Sequence, residues 1–158
     1  MNLIIGASGI LGSAIRKRLP TSYAPDRSMY DLTDDPSVLP DVAVAYLCAG
    51  TKGYRECEGN LQAFRADVDG NLRLAKYLLK RGTFVVFVST DGVEWGANVA
   101  YSRNRLLVEM ALVMQPNVAI VRPAKFSADT VGPLADLCIS VGEGRKDGLH
   151  YWRPDANG

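Results

Sequence analysis

Three glycines near the start, a hydroxyl-bearing turn and a tyrosine–arginine pair are the residues whose types and spacing can do chemistry. Gly6, Gly9 and Gly12 stand in "LIIGASGILGSAI" with G-x-x-G-x-x-G spacing, after an apolar run and before a helix-forming stretch. Glycines so placed let the chain turn sharply, bring bare backbone to an anion and pack the helix close on its strand. Ser8, Ile10 and Leu11 lie between them and offer backbone N–H groups at the positive end of the helix. That pattern suits a dinucleotide diphosphate. Asp26 follows 20 residues after Gly6 and can accept ribose hydroxyls, while Arg27 beside it suits a 2′-phosphate, so NAD and NADP both stay open. The second group reads "STDGVEWGANVAYSRNR", residues 89–105. Tyr101 and Arg105 are four apart and leave the same face of a helix. A free tyrosine holds its proton to about pH 10, and a nearby cation favours the phenolate. With the Thr90 hydroxyl upstream, the set can exchange a proton with a substrate oxygen. The plain alternatives are a packed tyrosine and a Ser-Thr-Asp helix cap.

Other chemistry is poorly supported. The 158 residues carry 18 basic and 17 acidic side chains without a basic block, so neither nucleic acid nor an anionic membrane is the expected partner. No apolar run approaches a membrane span, and "MNLIIGASG" lacks the charge and length of a secretory leader. Cys48, Cys57, Cys138 and the single His150 share no metal-ligand spacing. The expectation is reduced thiols, a cytoplasmic protein and no metal.

These groups need elements to position them. Four continuous apolar runs, at 3–5, 42–47, 84–88 and 118–121, read as strands buried on both faces. A weaker strand is expected at 22–24. Between the runs, residues 10–19 read as a helix ended by Pro20. Residues 60–80 carry a stripe at Leu61, Phe64, Val68, Leu72, Ala75 and Leu79. Residues 99–114 place Leu106, Met110 and Val113 on one side, before Pro116. This is an α/β, doubly wound parallel sheet, a Rossmann fold, expected as a single domain over 1–158. The extension at 131–158 contains one short helix, and its last part has no clear element. His150, Tyr151 and Trp152 there are expected to pack that segment on the sheet.

Taken in order, "GASGILG", "DRSMYDLTD", "VSTDGVEWG" and "YSRNRLLVE" resemble the short-chain dehydrogenase/reductase superfamily, best its extended branch of dTDP-4-dehydrorhamnose reductases, over about residues 1–123. The resemblance implies that Thr90 holds a substrate oxygen, that Tyr101 passes the proton, and that Arg105 stands where the family has lysine, touching the nicotinamide ribose. It implies adenine contacts at Asp31 and Leu32, and small cofactor-lining residues at Cys48, Ala49 and Gly50. It also implies NAD or NADP as cofactor and a nucleotide-sugar-like substrate. A homodimer built from the helices at about 60–80 and 99–114 follows from the same resemblance. Two residues depart from the pattern. Arg105 keeps the charge but not the compact, proton-relaying head of lysine. Asp67 stands where such enzymes carry asparagine, which removes donors and brings a negative charge to the site. Only about 35 residues follow Pro123, too few for the family's C-terminal substrate lobe. An oxidoreductase is the first reading, and a domain that binds the dinucleotide without turnover is the alternative.

Overall fold

The computed structural model describes residues 1–95 and 99–154; residues 96–98 of the 89–105 stretch and the end of the C-terminal extension, 155–158, lie outside the described residues. β1 (Asn2–Ile5), β2 (Val44–Leu47), β3 (Phe84–Val88), β4 (Val118–Pro123) and β5 (Gly148–Trp152) form a parallel sheet in that spatial order. Register runs Ile5 beside Leu47, Leu47 beside Phe87, and Phe87 beside Ile120. All four predicted runs are strands, because a continuous apolar sequence buries both faces of a parallel sheet. One face holds Leu3, Ala45, Val85 and Ile120 against the helices after β2 and β3. The other holds Ile4, Tyr46, Val86 and Ala119 against the first and last helices.

The weak strand at 22–24 shrinks to one bridge, Tyr23 beside Leu3. Tyr23 donates to Asn2 O at 2.8 Å and accepts from Ile4 N at 2.9 Å. Pro25 has no N–H with which to continue the ladder. This bridge lies on the side of β1 away from β2, so the chain changes direction between β1 and β2. In open α/β sheets, ligands bind at that switch, outside the carboxyl ends of the strands.

The helices are α1 (Ile10–Arg18), α2 (Tyr54–Cys57), α3 (Leu61–Phe64), α4 (Asn71–Lys80), α5 (Gly92–Trp95), α6 (Ala100–Leu112) and α7 (Val131–Glu143). Residues Arg65–Gly70 join α3 to α4 as a π-helical segment, a form frequent at functional sites. The first expected face holds in part, and the second needs correction. From α3 through the π-helical segment to α4, Leu61 and Phe64 are exposed, but Val68 and Ala75 of the stripe are buried and Leu72 and Leu79 pack against the core. Two polar residues, Asp67 and Asn71, share the buried side, which an apolar stripe does not register. On α6, Met110, Val113 and Met114 face out, and Arg105, Val108, Glu109 and Leu112 face in. Again polar residues occupy the inner side. The extension is more regular than expected: α7 packs on α1, and β5 joins β4 with Trp152 buried beside Pro123.

Candidate functional site

The glycine loop connects β1 to α1 at the switch point. Gly6 has φ +89°, and a Cβ there would come within 2.7 Å of Ala49 N. A Cβ on Gly12 would overlap the carbonyl oxygen of Gly6. These two glycines are therefore demanded by the fold, which holds loop, strand and helix in contact. Gly9 differs. It caps α1 with no side chain bonded to the first-turn N–H groups, its own N–H donating back to Gly6 O at 3.1 Å. A Cβ on Gly9 would sit at ordinary contact distance, 3.4 Å from Lys52 Nζ and 3.5 Å from Gly6 O. So Ser8, Gly9 and Ile10 present exposed backbone at a helix start, while Leu11 and Gly12 turn into the core. A diphosphate fits this cradle: it lies at a helix start whose first-turn N–H groups no side chain caps, and no backbone crowds Gly9 as it does Gly6 and Gly12.

The Asp26 loop is folded on itself. Asp26 Oδ1 accepts from Ser28 Oγ (2.5 Å), Ser28 N (2.9 Å) and Met29 N (3.1 Å). The Ser28 hydroxyl, then the Met29 amide, lower its pKa below the ordinary value. All three bonds end on the same oxygen of Asp26. Arg27 is exposed and donates through Nε to Asp31 Oδ2 at 3.1 Å. Asp31 Oδ1 accepts from the Thr33 amide (3.0 Å) and hydroxyl (2.9 Å), and the Thr33 amide is the main cause of its lowered pKa. Leu32 is buried. Its carbonyl accepts from Arg73 Nη2 at 3.1 Å and packs against Gly70. The turn at Asp31 and Leu32 is thus fixed to the helix that follows β2.

Cys48, Ala49 and Gly50 leave the end of β2, and Ala49 packs under Gly6. Desolvation pushes the Cys48 thiol well up, which argues for filler rather than a nucleophile. Gly50 lies directly on Arg105: a Cβ would overlap Nη2 of the guanidinium. Arg105 is only 8 % exposed and donates to Val88 O at 3.4 Å. Its guanidinium carbon stands 5.5 Å from the centre of the Tyr101 ring and 6.0 Å from that of Phe87. Asp67, from the π-helical segment, accepts from Thr51 N (2.9 Å) and Thr51 Oγ1 (3.3 Å). Tyr101 also meets Tyr54 edge to face, with ring centres 5.4 Å apart. Glu58 holds α2 to the start of α6 by accepting from Ala100 N at 2.7 Å. Thr90 follows β3. Its Oγ1 accepts from Gly92 N at 3.2 Å, a local turn that leaves the hydroxyl proton free to donate.

Two features escape sequence reasoning. Lys52 sits over Gly9 although 43 residues separate them in the chain. Knowing that β1 and β2 are neighbours would have brought it in. The other is a network at the carboxyl ends of β3, β4 and β5. Buried Glu109 accepts from Ser89 Oγ at 2.5 Å and from Arg122 Nε and Nη2 at 2.9 and 2.7 Å. Arg122 Nη1 reaches Tyr151 OH at 2.8 Å. His150 and Trp152 serve packing of β5, His150 meeting Lys146 O at 2.8 Å. Among the described residues no helix is long and apolar enough to cross a membrane, and no three metal-ligating side chains gather.

No family model matches the chain, and no curated protein matches it in sequence. Solved structures do match in fold. A dTDP-4-dehydrorhamnose reductase ortholog from Clostridium acetobutylicum aligns at TM-score 0.85 and 21% identity, over 96% of this chain and 73% of that one. The dTDP-4-dehydrorhamnose reductase of Bacillus anthracis, solved in complex with NADP, aligns at TM-score 0.76 and 19% identity over the same shares. A Serratia marcescens short-chain dehydrogenase/reductase aligns at TM-score 0.75 and 9% identity, over 99% of this chain and 97% of that one. The chain has the Rossmann-like α/β fold of these proteins and is structurally similar to dTDP-4-dehydrorhamnose reductases and to short-chain dehydrogenases/reductases.

Proposed function

We propose that this protein is an NAD(P)-dependent oxidoreductase of the short-chain dehydrogenase/reductase type, acting on a carbonyl or hydroxyl of a nucleotide-sugar-like small molecule. The observation that carries the reading is the Gly9 cradle at the switch point, uncrowded by backbone and approached by the Lys52 ammonium, with Tyr101 and Arg105 on the helix that follows β3. Gly6, Gly9 and Gly12, with the amides of Ser8, Ile10 and Leu11, hold the diphosphate. Asp26 and Arg27 face the adenosine ribose, Asp31 and Leu32 the adenine, and Cys48, Ala49 and Gly50 line the dinucleotide's path. When bound, the nicotinamide supplies or accepts a hydride at the substrate carbon. Tyr101 gives a proton to the substrate oxygen in the reducing direction and takes it back in the other. Thr90 donates its hydroxyl to the same oxygen. Arg105 holds positive charge beneath the tyrosine ring and beside the nicotinamide ribose. The exposed row of Leu107 and Met110 on α6, with Val113 and Met114 just after it, suits pairing with a second copy.

A second reading, a dinucleotide-binding domain without turnover, is favoured by the burial of Arg105 beneath Gly50. Calorimetric titration with NADPH and NADH, followed by Tyr101→Phe, separates the two. The enzyme reading expects dissociation constants within about twofold of wild type and a loss of roughly 100-fold or more in turnover. Binding with no turnover in the wild type supports the second reading. Absence of binding to either dinucleotide sinks both.

Lys52 enters as a further ligand of the diphosphate. An ammonium placed at the positive end of α1 is repelled until an anion joins it. Lys52→Ala is expected to weaken dinucleotide binding by about 3- to 10-fold at low salt, with a smaller loss near 1 M salt where screening is strong. Equal losses at both salt concentrations would exclude an electrostatic role.

A further inference from the structure

We infer that Asp67 is a positioning residue which, with Arg105, clamps the turn at Gly50 and Thr51 from both sides, and that the two charges are mutually dependent. The inference deepens the proposed dinucleotide site, since this turn lines it, but it is tested on the unliganded protein. Asp67 and Arg105 belong to different elements, the π-helical segment and α6, which pack on each other. Both are buried, at 4 % and 8 % exposure. Among the described residues neither forms an ion pair with an oppositely charged side chain within 4.0 Å. A buried charge without a partner is costly, so each needs its compensation nearby.

The geometry places that compensation across the turn. Gly50 rests on Nη2 of Arg105, so no side chain can stand between them. The next residue, Thr51, gives its amide and its hydroxyl to one oxygen of Asp67. Covalent geometry then limits the guanidinium-to-carboxylate separation to roughly 9 Å. That is inside a Debye length, along a path of protein rather than water. The turn is fixed by two contacts of opposite sign. The carboxylate pulls on the Thr51 amide, and the guanidinium supports Gly50 from below. Cys57 lies against the same turn, its thiol meeting Thr51 O at 3.8 Å, with Asp67 and Arg105 acting on it in opposite directions. A carboxylate that only held Thr51 would be well replaced by asparagine, whose carbonyl also accepts an amide proton. The carboxylate is needed because arginine, unlike a lysine, cannot shed its charge when buried.

A double-mutant cycle tests this. Melting temperature and hydrogen exchange at the Thr51 amide are measured for wild type, Asp67→Asn, Arg105→Lys and the double variant, all without ligand. Each single change is expected to lower the melting temperature by about 4 °C or more and to speed Thr51 exchange at least about tenfold. The double variant should melt within about 2 °C of wild type instead of at the sum of the two losses. Additive losses would show that Asp67 merely holds Thr51, and the inference would fall. If Asp67→Asn does not fold alone, its rescue by Arg105→Lys supports the clamp, and failure of that rescue overturns it. Dinucleotide titration of the same four proteins keeps the two ideas apart: coupled stabilities in a protein that binds no dinucleotide would retain the clamp and remove the proposed function.

Discussion

Gly12→Ala is expected to lower the melting temperature by about 6–12 °C and to abolish dinucleotide binding, whereas Gly9→Ala should keep the fold and lose only the binding. The two glycines are three residues apart and read alike in the sequence, yet the backbone around them differs. At Gly12 the added methyl would overlap the carbonyl oxygen of Gly6 and lie 3.0 Å from the Ala7 Cα. Neither belongs to a side chain that can rotate away, so α1 must lift off β1 or the loop must open. Overpacking against fixed backbone costs about 1–3 kcal/mol and can cost more, against about 1 kcal/mol gained by alanine in a helix. Here both clashing atoms are backbone, so the gross cost is placed above that range, at about 4 kcal/mol, and the net loss of about 3 kcal/mol corresponds to the stated shift at about 2–4 °C per kcal/mol. At Gly9 the backbone is extended (φ −76°, ψ 173°), which alanine adopts freely, and the nearest atoms, the flexible end of Lys52 and Gly6 O at 3.5 Å, leave ordinary contact distance. The stability cost there stays below about 1 kcal/mol, the difference between glycine and alanine at a helix N-cap. The methyl would instead occupy the diphosphate's place, so affinity should fall by about 10-fold or more. Thermal melts and titration of both variants check this. If Gly9→Ala binds the dinucleotide as wild type does, the diphosphate does not lie over Gly9.

The same comparison shows what a sequence conveys and what it conceals. The glycine loop is local: strand, turn and helix are contiguous, and the spacing "GASGILG" reports their contact directly. The strands at 3–5, 42–47, 84–88 and 118–121 are legible because burial on both faces leaves no polar residue to interrupt them. β5 is not, because it is an edge strand. Leu149 and Tyr151 are exposed, only Trp152 is deeply buried, and Gly148 at φ +97° starts it. Its sequence "GLHYW" resembles no buried run. The helix faces were legible only in part. Val68 and Ala75 of the stripe before β3 are buried, though Asp67 and Asn71 share that side, whereas α6 turns Arg105 and Glu109 inward and leaves Met110 outside, so apolarity alone misses its inner face. Lys52 needs the adjacency of β1 and β2, a tertiary fact. The four-residue spacing puts Tyr101 and Arg105 on one helix face, but nothing in that spacing tells that Gly50 covers the guanidinium.

Glu109→Ala is the other change expected to act strongly, through charge rather than shape. Glu109 is 3 % exposed and joins four elements at the carboxyl ends of the strands. Its Oε2 takes the Ser89 hydroxyl after β3, and its Oε1 takes two N–H groups of Arg122 at the end of β4. Arg122 in turn meets Tyr151 on β5 and Glu94 on α5, the latter at 3.5 Å. Removing the carboxylate leaves a largely buried guanidinium with only the more exposed Glu94 as counter-charge, and a serine without its acceptor. Losing one partner of a buried pair costs about 3–5 kcal/mol, here a fall of about 6–20 °C in melting temperature. Tyr151→Phe removes one bond at the solvent-facing end of the network and should cost no more than about 1 kcal/mol. Glu109→Gln keeps an acceptor for Arg122 and should fall between the two. Because Ser89 directly precedes Thr90, a folded Glu109→Gln protein should also lose turnover under the oxidoreductase reading while holding the dinucleotide as wild type does: that reading seats the diphosphate beside β1 and β2, which the network does not touch. Equal melting of Glu109→Ala and Tyr151→Phe would mean that Arg122 finds its compensation elsewhere, and the network would then have no claim to hold the Ser89 turn in place.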